Sequence, residues 1–202
     1  MPLNLPIFLT WLRIVLIPLI VGIYYLPASV FSMADKNTLA ALVFVLAALT
    51  DWLDGFLARK LNQISAFGAF LDPVADKLMV ACALLILLSL QRIDVTIAVI
   101  VVGREITISA LREWMATIGA SRNVAVNSLG KIKTVAQMIA IPLLLLNAPY
   151  DLLSIQFDKK IGWLLSLELG KILMNIAAVL TVWSMFYYIK LAWPRIADHS
   201  SK

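Results

Sequence analysis

Residues 50–77 read TDWLDGFLARKLNQISAFGAFLDPVADK and place four aspartates, Asp51, Asp54, Asp72 and Asp76, within one short polar stretch. On either side lies nearly pure hydrocarbon, TLAALVFVLAAL at 38–49 and LMVACALLILLSL at 78–90. Runs of this kind suit a bilayer, which a helix crosses in about 20 residues. Lipid offers no hydrogen-bond partner to an open strand edge, so the runs are read as helices. The spacing of the acids then acquires a meaning. Asp51 and Asp54 are three positions apart and Asp72 and Asp76 four, which at about 100° per residue puts each pair on one helix face. The first pair closes one span and the second opens the next. A loop of about a dozen residues between them brings four carboxylates to a common volume.

The composition agrees. The 202 residues are 62% hydrophobic and 14% charged, with a mean hydropathy of +0.93. A soluble domain is about one quarter charged, so the chain reads as an integral membrane protein of one domain, residues 1–202. Spans are expected at about 8–27, 38–58, 73–91, 94–115, 131–148 and 169–191. The expected fold is therefore all-α, a polytopic protein of about six transmembrane helices with a short interfacial segment over residues 1 to about 12. MPLNLPIFLT lacks the early positive charges of a cleavable leader, and no small-x-small site follows the first apolar run. Cys82, the single cysteine, reads as a small packing residue within an apolar run.

The net charge of +5 calls for no nucleic acid, because membrane chains gather Lys and Arg beside anionic headgroups on the cytoplasmic side. Applied here, that rule puts both termini, the 59–70 segment and the loop around Arg122 in the cytoplasm. The opposite side carries Lys36, Arg92, Lys159 and Lys160, offset by Asp35, Asp94, Asp151 and Asp158.

Four adjoining carboxylates repel one another, and Lys77 and Arg59 compensate only part of that charge. A divalent cation compensates better, and oxygen ligands suit Mg²⁺, Mn²⁺ or Ca²⁺. The only histidine, His199, is in the tail, which argues against zinc. A competing reading makes these acids solvated helix caps, with Asp72 as N-cap ahead of Pro73. Four of them against hydrocarbon favour function. Gly55, Ala58 and Gly68 also have two readings, close helix packing or a bare shelf where a phosphate-bearing ligand approaches backbone.

DWLDGFLAR followed after eight residues by GAFLDPVAD has the form D-x-x-D-G-x-x-A-R…G-x-x-x-D-x-x-x-D. This pattern resembles the signature of the CDP-alcohol phosphotransferases, with every element present. The resemblance implies a two-metal site for Mg²⁺ or Mn²⁺ held by Asp51, Asp54, Asp72 and Asp76, with Asp76 also the general base. It implies a cytidine diphosphate pocket formed by Asp54, Gly55, Ala58, Arg59 and Gly68. It further implies a homodimer in a bacterial cytoplasmic membrane, acting on CDP-diacylglycerol from the cytoplasmic side. NLPIFLTWLRIVLIP, GREITISALREWMATIG and LGKIKTVAQM resemble the members whose acceptor is sn-glycerol 3-phosphate. The implied products are phosphatidylglycerol phosphate and CMP.

A small dianionic acceptor needs cations nearby. Arg104 lies well inside the fourth span, and Arg112 follows eight residues later on nearly the same face. Such arginines are costly in lipid unless paired or facing a watery cavity. Glu105 and Glu113 are the structural partners on offer, although adjacent residues point apart on a helix. Lys131 and Lys133 enter at the start of the fifth span as further phosphate ligands or as snorkelling headgroup contacts. Arg122 reads as a solvated loop charge. Arg13 either meets a lipid phosphate or pairs with an acid, and it receives no role.

Two rival functions remain. A divalent-cation transporter also places carboxylates in the membrane, but an ion pathway needs neither the Gly/Ala/Arg elements nor a basic acceptor pocket. A relative using inositol phosphate, serine or phosphatidylglycerol as acceptor is the other.

Overall fold

The computed structural model describes residues 5–60, 66–119, 128–147 and 164–200. Among them every regular element is helical: α1 (Leu5–Tyr24), α2 (Met33–Lys60), α3 (Ala66–Ser89), α4 (Val95–Thr117), α5 (Ser128–Leu146) and α6 (Leu169–Ser200). A π-helical turn, Leu164–Glu168, leads into α6. The protein is an all-helical polytopic membrane protein. By length and composition, α1, α2 and α6 carry the three apolar stretches long enough to cross a bilayer, and α5 a shorter one. In α3 and α4 the apolar run is broken by charged residues, Asp72, Asp76 and Lys77 in one and Arg104, Glu105, Arg112 and Glu113 in the other.

Small residues set the packing. Ala40, Ala41 and Ala47 of α2, Ala83 of α3 and Ala140 of α5 are buried around Phe44, Leu84, Leu144 and Met174. Between helices in lipid, attraction comes from close backbone approach rather than from the hydrophobic effect. Gly170 shows how close that approach is. A Cβ there would stand 2.9 Å from Leu144 Cγ and 3.3 Å from Leu143 Cβ, so only glycine seats α6 against α5. Large side chains such as Leu46, Val179, Trp183 and Phe186 face outward, as a lipid-facing surface requires.

Several boundaries differ from those expected. Helix α3 begins at Ala66, so Asp72 and Pro73 lie inside it and Asp72 is not an N-cap. The helix propagates because Ala66, Phe67, Ala69 and Phe70 continue the apolar pattern ahead of the proline. Helix α2 runs on to Lys60, so the loop of about a dozen residues shrinks to 61–65, outside the described residues. Helix α1 starts at Leu5, so residues 5–12 of the expected N-terminal segment are continuous with the first span, and residues 1–4 lie outside the described residues.

The charges at the opposite end are structural. Arg92 is buried and donates from Nη1 to the carbonyls of Leu144 (2.9 Å) and Leu145 (2.6 Å), and from Nη2 to Asn37 Oδ1 at 2.8 Å. It therefore caps the carbonyl end of α5, a placement that the helix dipole favours. Lys36 donates to Leu26 O just beyond α1 at 2.6 Å. Ser32 and Asp35 form a reciprocal capping box on α2, Ser32 N donating to Asp35 Oδ2 at 2.9 Å and Asp35 N to Ser32 Oγ at 3.2 Å.

Candidate active site

At the other end of the bundle, α2, α3, α4 and α5 enclose a cavity of about 520 Å³. That volume suits a ligand of headgroup size. One side is acidic, with Asp51 from α2 and Asp72 and Asp76 from α3. The cations that line the cavity are Arg104 and Arg112 from α4, Lys133 from α5 and Lys77 from α3, with Glu105 of α4 among them, so this side is basic on balance. Gly130, buried at the start of α5, also lines it and gives the cavity a side-chain-free wall.

Helix α1 contributes what the sequence reading left without a role. Arg13 is completely buried at 0% exposure. Its Nη1 stands 2.6 Å from Asp51 Oδ1, and its Nη2 pairs with Asp54 Oδ2. Thr10, one turn earlier, donates from Oγ1 to Asp72 Oδ1 at 2.6 Å. The two side chains thus tie both aspartate pairs to α1. A polar T-x-x-R on one face of an otherwise apolar helix, in LTWLR, was the signal available in the sequence.

Asp54 is buried against Arg13 and is not on the cavity wall. Among the described residues no three His, Cys, Asp or Glu side chains form a ready-made metal cage, and Arg13 holds Asp51 and Asp54. The donor set nevertheless fits a hard divalent cation. Asp51, Asp72 and Asp76 offer carboxylate oxygens to one space, and Asp76 Oδ1 is buried with no hydrogen-bond partner.

Gly55 packs against nothing, since a Cβ built there meets no atom within 4 Å. No close helix contact therefore forms at Gly55 among the described residues. Gly68 is buried in α3. The side chains of Ala58, Arg59 and Lys131, and all of Arg122, lie outside the described residues.

The basic wall is held by its neighbours. Arg104 is buried, with Nη1 3.1 Å from Glu105 Oε1 and Nη2 donating to Ser184 Oγ of α6 at 3.2 Å. Lys133, also buried, pairs with the same Glu105 oxygen from α5. Adjacency in the chain does not separate Arg104 from Glu105 as expected, because the long guanidinium arm folds back to its neighbour. Lys77 reaches across to Ser109 Oγ of α4 rather than pairing with an aspartate.

A carboxylate wall facing a guanidinium and ammonium wall at the edge of a membrane suits a phosphorylated polar substrate and an anionic lipid headgroup. The family model for CDP-alcohol phosphatidyltransferases matches residues 3–183. The chain belongs to that family. Among curated relatives of this CDP-alcohol phosphatidyltransferase, one from Sodalis glossinidius is 47% identical over 98% of this chain and 100% of its own length. A relative from Haemophilus influenzae is 44% identical over 98% of both chains, and one from Pseudomonas fluorescens is 44% identical over 98% of this chain and 95% of its own. All three are named CDP-diacylglycerol–glycerol-3-phosphate 3-phosphatidyltransferase. Enzymes of this family generally use a divalent metal ion.

Proposed function

We propose that this protein transfers the phosphatidyl group of CDP-diacylglycerol to the 1-hydroxyl of sn-glycerol 3-phosphate, releasing CMP and leaving phosphatidylglycerol phosphate in the bilayer. The observation that carries the proposal is the two-walled cavity, with Asp51, Asp72 and Asp76 opposite Arg104, Arg112 and Lys133. The names of the full-length relatives supply the substrates.

In this reading the acceptor's phosphate sits on the basic wall, where guanidinium forks match phosphate oxygens. Its free hydroxyl then points across the cavity to α3. Asp76 is the base, because its unpartnered Oδ1 is available to take the hydroxyl proton. The acceptor oxygen forms a bond to the phosphorus next to diacylglycerol, and the bond from that phosphorus to the CMP oxygen breaks. Gly55, with Ala58, Arg59 and Gly68, forms the shelf for the cytidine diphosphate, and Asp54 borders it. Asp51, Asp72 and Asp76, joined by Asp54, would hold Mg²⁺ or Mn²⁺ in a two-metal site, which when filled stabilises charge on the diphosphate oxygens. The functional unit is taken as a homodimer in the bacterial inner membrane.

The test is CMP release by purified protein in mixed micelles, with CDP-diacylglycerol and a panel of acceptors. Glycerol 3-phosphate is expected to give turnover, with inositol phosphate, serine and phosphatidylglycerol giving little. Preferential turnover of any of those three would reassign the acceptor. Orientation has its own check. In a Cys82→Ser background, Asp158→Cys is expected to react with an impermeant thiol reagent in intact cells and Arg122→Cys is not. The reverse labelling would put the cavity on the side away from cytidine nucleotides.

A further inference from the structure

Both arginines of the basic wall lean on one residue of α6 that no motif picks out. Tyr188 is fully buried at 0% exposure, and its ring is faced by two guanidinium groups. The Cζ of Arg112 stands 5.0 Å from the ring centroid and that of Arg104 stands 5.7 Å. Both distances fall within the range where a ring quadrupole attracts a cation. One turn earlier on α6, Ser184 accepts the hydrogen bond from Arg104 Nη2. Tyr188 and Ser184 thus present a single face to α4.

The chemistry of this support matters. Two guanidinium groups side by side repel, and something must offset that. Glu105 offsets part of it and in doing so takes one donor of the Arg104 fork, Nη1. An aromatic ring attracts the cation through its face and leaves the in-plane N–H groups unused. Part of the donor set is unspent: Arg104 Nη1 and Nη2 are engaged by Glu105 and Ser184, whereas Nε of Arg104 and Nε of Arg112 are both buried without a hydrogen-bond partner. Buried donors left unpaired are costly, so their presence on a cavity wall points to an anionic ligand that completes them. A phosphate monoester, with three terminal oxygens, can accept from both forks together.

We infer that Tyr188 is a positioning residue for the acceptor, its ring holding Arg104 and Arg112 together, both Nε donors uncommitted, as a seat for a phosphate monoester. The inference rests on the basic wall being the acceptor site. It differs from a packing role, which Tyr188 also has beside Ile108, Met115 and Ala192.

Steady-state kinetics on both substrates separate the two. Tyr188→Leu is expected to raise KM for sn-glycerol 3-phosphate about tenfold, with kcat and the KM for CDP-diacylglycerol within about twofold of normal. Competitive inhibition by inorganic phosphate weakens by the same factor, and Tyr188→Phe, which keeps the ring, recovers most of the loss. If the leucine variant does not fold, Tyr188→Met, whose longer and more flexible side chain reaches farther into the space, carries the same expectation. An unchanged acceptor KM, an equal rise in both KM values, or a phenylalanine variant as impaired as the leucine one would overturn the role. Arg104→Lys and Arg112→Lys are the controls. If these raise the acceptor KM and Tyr188→Leu does not, only the positioning role fails. If the lysine variants also leave it unchanged, the basic wall is not the acceptor site.

Discussion

Asp76→Asn is expected to lower kcat by about a thousandfold, in the range associated with losing a positioned general base, without lowering the melting temperature. The two halves of that expectation come from the same atom. Asp76 Oδ1 is buried and accepts no hydrogen bond, so an amide of equal size sacrifices no partner there. A neutral amide also costs less to bury than a carboxylate. The fold therefore keeps or gains stability, while on the proposed reading the cavity loses both its proton acceptor and a metal ligand. Turnover by the unaltered protein should fall to the level of the variant when Mg²⁺ and Mn²⁺ are chelated, and recover when either is returned. Rates of CMP release and thermal unfolding in the same micelles check both halves. Near-normal turnover by Asp76→Asn would remove Asp76 from the chemistry, and a large drop in melting temperature would show a structural role for its carboxylate.

The fold was legible because lipid narrows the choices. Long apolar runs in a membrane chain can only be helices or a closed barrel, which fixes the helical class, although only three of the runs are by themselves long and apolar enough to cross a bilayer. Boundaries were less legible at the polar ends. Asp72-Pro73 carries the usual mark of a helix start, yet α3 begins at Ala66, because proline is tolerated inside membrane helices whose neighbours satisfy the freed groups. Arg92 read as a charge offset by the nearby Asp94. It caps α5 instead, a contact to carbonyls more than fifty positions away in the chain, as the separation from Leu144 shows.

For the site the dividing line is the same. Residues that share a helix face were found by spacing alone, which is why Asp72 with Asp76 and Arg104 with Arg112 appear together on the cavity wall. Partners on other helices were not. Thr10 and Arg13 meet the aspartates from α1, and Ser184 and Tyr188 meet the arginines from α6. A helix register shows which side chains are neighbours along one helix, and nothing in it shows which helix lies opposite. Glu105 was discounted as a partner for Arg104 on helix geometry alone, which neglects how far a guanidinium can reach.

Arg13→Met is expected to destabilise the fold by about 3–5 kcal/mol, the usual result of removing one member of a buried ion pair. Arg13 is wholly buried and Asp54 nearly so, their side chains 0% and 4% exposed. Methionine fills much of the space, so the loss is chiefly electrostatic: Asp54 is left charged and unpaired, and Asp51 loses a contact at 2.6 Å. In thermal unfolding this amounts to a fall on the order of 10 °C for a chain of this size. Arg13→Lys should be intermediate, because a single ammonium cannot span two carboxylates as a planar fork does. The decisive variant is the double one, Arg13→Met with Asp54→Asn. Removing the orphaned charge should restore most of the stability lost by Arg13→Met, since breaking a buried pair costs more than replacing both members. Activity should not return, because the substitution also takes away the carboxylate that in the proposed reading borders the nucleotide shelf. If the double variant is no more stable than Arg13→Met, the energetic partner of Arg13 is not Asp54. If Arg13→Met melts with the unaltered protein, the buried pair contributes nothing to the fold.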